Sequence, residues 1–266
     1  MKGKIYFIFI LIFVVGACST NKYATTNRVY KKRAKSFARQ IRETPVSGIR
    51  ATWVGATNFG LRKPNFVIIH HTAQNSCEQT LRTFTLPRTQ VSAHYVICKD
   101  GTVHHILNDY LRAWHAGSGS WGNDKDINSS SIGIELDNNG FEPFTDAQIN
   151  NLLTVLDTLK TKYAIPSSNF IGHSDIAPNR KVDPNVTFPW QLLSQKGYGL
   201  WYSDTTYVTV PENFNSLQAL RIIGYSLKDT SASIGAFKRH FTMQDSSRVI
   251  NEADKKILYD LMLKYQ

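Results

Sequence analysis

The chain is expected to be an α/β protein with a mixed central β-sheet flanked by helices and a small three-helix module at its C-terminal end. Three observations predict this. Short apolar runs rich in β-branched residues stand at Phe66 to Ile69 and Ser131 to Leu136, a longer stretch with helical periodicity follows at Asp146 to Lys162, and three shorter helical stretches lie beyond Pro211.

The first 17 residues combine Lys2 and Lys4 with the apolar run Ile5 to Val15, too short for a bilayer span and suited to a signal peptide. Gly16 and Ala17 directly before Cys18 resemble the lipobox of bacterial lipoproteins, in which the cysteine takes a diacylglycerol and becomes the new N-terminus. The competing reading is an ordinary signal peptide or uncleaved anchor followed by a chance cysteine. Acyl chains on Cys18 would anchor the protein to a membrane.

Charge is concentrated in the same part of the chain. Residues 1–50 hold 11 Lys and Arg and a single acidic residue, Glu43, so they carry +10 of the total of +11; the other 20 basic and 19 acidic residues nearly cancel. Residues 18–49, with Lys31, Lys32, Arg33, Lys35, Arg39 and Arg42, read as a basic tether. It is suited either to anionic headgroups and acidic wall polymers or simply to solvent. The neutral remainder has no basic helix interleaved with base-stacking aromatics, which argues against nucleic acid as a partner.

Phe66 to Ile69 ends in His70 and His71, as in a buried strand delivering histidine at its carboxyl end. Strand alternation sends these two side chains to opposite faces, and position alone does not choose between them. His94 to Lys99, Asp100-Gly101 and Thr102 to Leu107 read as a hairpin with a tight turn. In the stretch beginning at Asp146, Ile149, Leu152, Leu153, Leu156 and Leu159 form one helical face, with Thr145 or Asp146 as cap. These elements define a domain over residues 50–207.

Residues 212–266 form the second module, with helical stretches at Leu217 to Ile223, Ile234 to Phe241 and Ala253 to Leu263. Gly224 stops the first, and Asn251 or Asp254 opens the last. With Cys18 assigned to lipid, Cys77 and Cys98 remain in a compartment that permits disulfides. Their pairing is not readable, and Cys98, alternating with Val96 and His94, is expected to be a buried free thiol.

His70, His173 in Ile-Gly-His-Ser-Asp and Asp183 in Arg-Lys-Val-Asp-Pro offer two imidazoles and a carboxylate. Such a set suits catalytic zinc, because three protein ligands leave a coordination position open, whereas a structural site is closed by four ligands rich in cysteine. Eight histidines are present, however, and most histidines in proteins are not ligands.

The string Val67-Ile-Ile-His-His-Thr-Ala73, with Val91-Ser-Ala-His-Tyr-Val-Ile97 and Asp100-Gly101, resembles the zinc-dependent N-acetylmuramoyl-L-alanine amidases, a family shared with T7-type lysozyme and peptidoglycan recognition proteins. The resemblance continues in order through Ala113-Trp-His-Ala-Gly117, Asn128, Ser131-Ile-Gly-Ile-Glu-Leu136, Gly172-His-Ser-Asp-Ile-Ala-Pro-Asn-Arg-Lys-Val-Asp-Pro184 and Phe188-Pro-Trp190. It implies a Zn2+ cofactor on His70, His173 and Asp183, with Glu135 as proton shuttle and Lys181 as stabiliser of the oxyanion. Trp114, His115 and Asn128 are candidate substrate-cleft residues. Ala93 stands where T7-type lysozyme has a catalytic tyrosine, which points to the glutamate-dependent branch.

The implied activity is hydrolysis of the bond between N-acetylmuramic acid and L-alanine in peptidoglycan or muropeptide fragments. The competing readings are a non-catalytic peptidoglycan receptor and an endopeptidase. Residues 216–261 resemble a peptidoglycan-binding module in which the usual Asp-Gly loop is not clear. The order of lipobox, amidase and helical module resembles outer-membrane lipoprotein amidases of enteric bacteria, and Ser19 after Cys18 fits an outer-membrane address facing the periplasm.

Overall fold

The structure, a computed structural model, describes residues 22–42, 56–243 and 247–266. The expected signal peptide and lipidated Cys18 lie outside these. Helix α1 (Ala24–Arg42) occupies most of the basic segment; it has no acidic and no buried residue, and Val29, Phe37 and Ile41 are exposed on it. Among the described residues no helix is long and apolar enough to cross a membrane.

Residues 59–266 form one compact unit. Its elements are β1 (Phe66–His71), α2 (Cys77–Thr85), β2 (Tyr95–Ile97), β3 (Val103–His105), α3 (Ile127–Ser130), β4 (Ser131–Leu136), α4 (Asp146–Tyr163), β5 (Phe170–Gly172), α5 (His173–Ile176), α6 (Trp190–Gln195), α7 (Ser216–Ile223), α8 (Thr230–Phe241) and α9 (Glu252–Tyr265). The sheet order is β3-β2-β4-β1-β5, parallel throughout except for the antiparallel β2–β3 hairpin. At the hairpin turn Gly101 takes φ +87°, and Asp100 accepts the Thr102 N–H.

Strand alternation divides the core in two. Val67 and Ile69 of β1, with Ile132, Ile134 and Leu136 of β4, pack beneath Ile149, Leu152, Leu156 and Leu159 of α4. Thr145 opens that helix with a reciprocal capping box to Gln148, and Ala164 in the left-handed region closes it. On the other face Ile68 and Ile171 join a cluster that runs through Trp121 and Ile176 into Leu220, Phe237, Phe241, Leu258 and Leu261. The helices of residues 212–266 therefore share a core with the sheet. Gly224 ends α7 at φ +136° beneath the Trp121 ring, where an added Cβ would lie 2.2 Å from it. Asn251 caps α9, with Asp254 answering it.

One expectation is overturned. Cys98 is not a free thiol: it is bonded to Cys77 across a Cα separation of 5.3 Å. The first residue of α2 stands beside the residue that follows β2, a proximity set by tertiary packing across 21 residues of sequence and invisible to strand alternation.

Candidate active site

The site lies at the carboxyl ends of the parallel strands, where open α/β sheets present their ligand-binding crevices. His70 and Glu135 are register partners on β1 and β4, so their side chains leave the sheet on the same face. His173 follows the last residue of β5, and the loop after α5 returns Asp183, whose carbonyl accepts the Ser174 N–H at 2.7 Å. The three side chains named for zinc are thus brought together and buried. His70 Nδ1 lies 2.9 Å from His173 Nδ1 and 3.2 Å from Asp183 Oδ2, and His173 Nδ1 lies 3.0 Å from the same carboxylate oxygen. His71 stands outside this trio although it lines the same cavity, and its Nδ1 accepts the Asn185 N–H.

A hydrogen-bond relay fixes the tautomer of His70. Ser131 Oγ donates to the Ile127 carbonyl at 2.5 Å and so accepts from His115 Nε2 at 3.1 Å, which leaves His115 Nδ1 as the acceptor for His70 Nε2, also at 3.1 Å. The His70 proton therefore sits on Nε2, and Nδ1 presents a lone pair to the cluster. Burial, with His173 nearby, lowers the His70 pKa to about 4, so the ring is neutral. Burial likewise holds His115 well below the ordinary histidine value.

These residues fit a divalent cation. A proton on His173 Nδ1 would satisfy one contact, but His70 Nδ1 against Asp183 Oδ2 would remain lone pair against lone pair; a cation among the three resolves every contact. Ligand atoms around tetrahedral zinc lie about 3.3 Å apart, close to the separations found. A neutral ring steered by the hydrogen bond on its far nitrogen is the ordinary condition of a metal-binding histidine. The Asp183 carboxyl is held below the ordinary carboxylate range: burial opposes this, and the hydrogen bond that the His173 ring can donate outweighs burial.

Glu135 behaves oppositely to Asp183. Burial and then the Asp183 charge raise its pKa to about 8, with Lys181 opposing, so near neutral pH it can hold or release a proton. Its Oε1 lies 4.0 Å from His70 Nδ1. Lys181 and Arg180 line the same cavity of about 270 Å³.

Of the residues expected in the substrate cleft, none lines this cavity. His115 is buried behind His70 as its hydrogen-bond partner. Asn128 is buried as well, and its Oδ1 accepts the N–H groups of His115 and Ala116, holding that loop. Trp114 is exposed, its backbone paired with Ser92.

Sequence reasoning missed Ser131 and Gly133. A Cβ at Gly133 would lie 2.4 Å from His115 Cγ, so the glycine makes room for the imidazole that steers His70. The Ser131-Ile-Gly-Ile-Glu135 string contained both residues of this support, but their purpose depends on a ring delivered from a distant loop.

Two buried imidazoles and a carboxylate around one point, with a protonatable carboxyl beside them at the edge of a parallel sheet, define a hydrolase site able to hold a metal. Comparison with known proteins narrows the class. Residues 60–186 match the family model described as N-acetylmuramoyl-L-alanine amidase. The chain is 33% identical over 207 residues to the N-acetylmuramoyl-L-alanine amidase AmiD of Escherichia coli K12, covering 66% of this chain and 74% of AmiD. It is 43% identical over 100 residues to the 1,6-anhydro-N-acetylmuramyl-L-alanine amidase AmpD of Enterobacter cloacae, covering 38% of this chain and 54% of AmpD.

Among solved structures, E. coli AmiD in complex with anhydro-N-acetylmuramic acid-L-Ala-D-gamma-Glu-L-Lys superposes with a TM-score of 0.69 at 28% identity, over 80% of this chain and 93% of that one. Pseudomonas aeruginosa AmpDh3 in complex with anhydromuramic pentapeptide gives 0.71 at 26% identity, over 83% and 99%. The chain belongs to the N-acetylmuramoyl-L-alanine amidase family.

Proposed function

We propose that this protein is a zinc-dependent N-acetylmuramoyl-L-alanine amidase that hydrolyses the amide between N-acetylmuramic acid and L-alanine in peptidoglycan during cell-wall turnover or remodelling. In a chain of this family, the observation that carries the reading is the convergence of His70, His173 and Asp183 beside Glu135. His70 and His173 through their Nδ1 atoms, with Asp183, would hold Zn2+. When bound there, zinc supplies a Lewis acid that acidifies water and polarises the amide carbonyl.

Glu135 takes the proton of the attacking water and returns it to the departing alanine nitrogen, a task suited to a carboxyl poised near neutrality. Lys181 places positive charge in the cavity where the carbonyl oxygen becomes anionic. His115 and Ser131 keep the lone pair of His70 aimed inward, and Asn128 holds the loop that carries His115.

Cys18 bears the lipid anchor, and the basic segment up to residue 49 spaces the enzyme from the outer membrane on its periplasmic side. The lipobox-like Gly16-Ala17-Cys18 and the segregation of charge support this reading. Acyl labelling of the wild type, absent in Cys18→Ser, checks it; equal labelling of both would sink the anchor.

Digestion of purified muropeptides with mass analysis tests the activity. Free stem peptide and peptide-free sugar are expected, with activity lost to a chelator and restored by zinc. Products that keep the muramyl-alanine linkage would exclude the assignment, and full turnover by metal-free protein would exclude the mechanism.

A further inference from the structure

Asp175 lies two residues beyond His173, is fully buried, and forms no part of the cavity. Its Oδ2 accepts the Gly172 N–H at 2.7 Å, which pins the one-turn helix that begins with His173. The same oxygen accepts from His240 Nδ1 at 2.7 Å, and Oδ1 accepts from the Tyr225 hydroxyl at 2.7 Å. Both of these donors belong to the C-terminal helical region: Tyr225 follows α7, and His240 stands near the end of α8.

The donors are themselves locked. The His240 ring stacks between Trp190, at a centroid distance of 4.0 Å, and Phe241, at 4.2 Å. Tyr225 is fully buried edge-on to Trp121, and burial beside Asp175 pushes its phenol well above the ordinary value, so it keeps the proton it donates. Gly172 is hemmed in by Pro184, Asp175 and Trp190, each about 3 Å from where a Cβ would stand. Three elements therefore converge on the two residues that set the direction of His173.

We propose that Tyr225 and His240 are positioning residues for the metal centre, acting through Asp175 to hold His173 at the angle at which its Nδ1 meets His70 and Asp183. The C-terminal helices thereby complete the site. A buried carboxylate with three short hydrogen bonds is a costly feature for packing alone, because an apolar side chain of similar volume would fill the space without desolvating a charge. Its connection to the backbone in front of His173 gives it a purpose.

The inference rests on the metal-site reading above, and its test separates the two. Zinc affinity is measured by chelator competition on the purified full chain, together with the visible spectrum of the cobalt-substituted protein. Tyr225→Phe and His240→Ala are expected to weaken zinc binding about 10- to 100-fold, the scale found for partners that orient metal ligands, and to alter the cobalt spectrum. His240→Asn, which keeps an N–H near the Nδ1 position, should recover most of the affinity. Leu258→Ala, in the same C-terminal core but away from Asp175, should lower the melting temperature and leave affinity and spectrum unchanged.

Wild-type zinc affinity in Tyr225→Phe and His240→Ala would overturn the proposal, as would an equal loss in Leu258→Ala. A wild-type chain with no affinity for zinc would overturn the metal reading along with it.

Discussion

The two faces of the central sheet are made from the same strands and have opposite characters. On the α4 side Val67, Ile69, Ile132, Ile134 and Leu136 form an unbroken apolar layer. On the other side Ile68 joins the second apolar cluster, while His70, Ser131, Gly133 and Glu135 hold the site and its supports. Stability and chemistry are thus interleaved residue by residue, and adjacent substitutions should have separable effects.

The largest effect is expected on the polar face. Glu135→Ala should lower turnover of muropeptide by about 10²- to 10⁴-fold with zinc still bound and thermal stability little changed, measured by initial rates and metal content; undiminished turnover removes Glu135 from the reaction. Its neighbour on the apolar face behaves inversely. Ile134→Ala should cost about 2–5 kcal/mol in denaturant unfolding while the folded fraction keeps its zinc and its turnover number.

The Cys77–Cys98 link belongs to neither face. Replacing both cysteines with serine should cost about 3 kcal/mol, from the closure entropy of a loop of this length, with turnover preserved. Gly133→Ala breaks the separation between the faces, because its new methyl displaces His115 and through it His70. Zinc affinity about 10-fold weaker is expected, and an unchanged affinity would show that the relay does not orient His70. The smallest effect is that of Thr145→Ala, about 1 kcal/mol from the lost α4 cap with no change in activity.

What the sequence disclosed was mostly local. The cap at Thr145, the stop at Gly224 and the Asp100-Gly101 turn depend on residues within a few positions of each other, and each stands where periodicity and turn chemistry put it. His70, His173 and Asp183, which the structure brings together, were also marked out by their motifs, although choosing His70 over His71 needed a family resemblance. What stayed hidden was long-range. Cys77 pairs across 21 residues, His115 meets His70 across 45, and His240 meets Asp175 across 65. No periodicity records which distant side chain arrives at a given backbone. The bonds of His115 to His70, and of Asn128 to the loop that carries His115, are contacts of this long-range kind.

The cluster that joins Ile68 and Ile171 to Leu258 and Leu261 bears on how the molecule is made. A chain synthesised from its N-terminus has His70, His173 and Asp183 in hand well before α9 emerges, yet the apolar layer behind them is still missing a side. A product cut short after Val210 would leave Trp121, Ile176 and Ala177 uncovered. Such a fragment would be prone to aggregate and to proteolysis. The helices beyond Val210 are thus part of the support on which His173 and its neighbours rest.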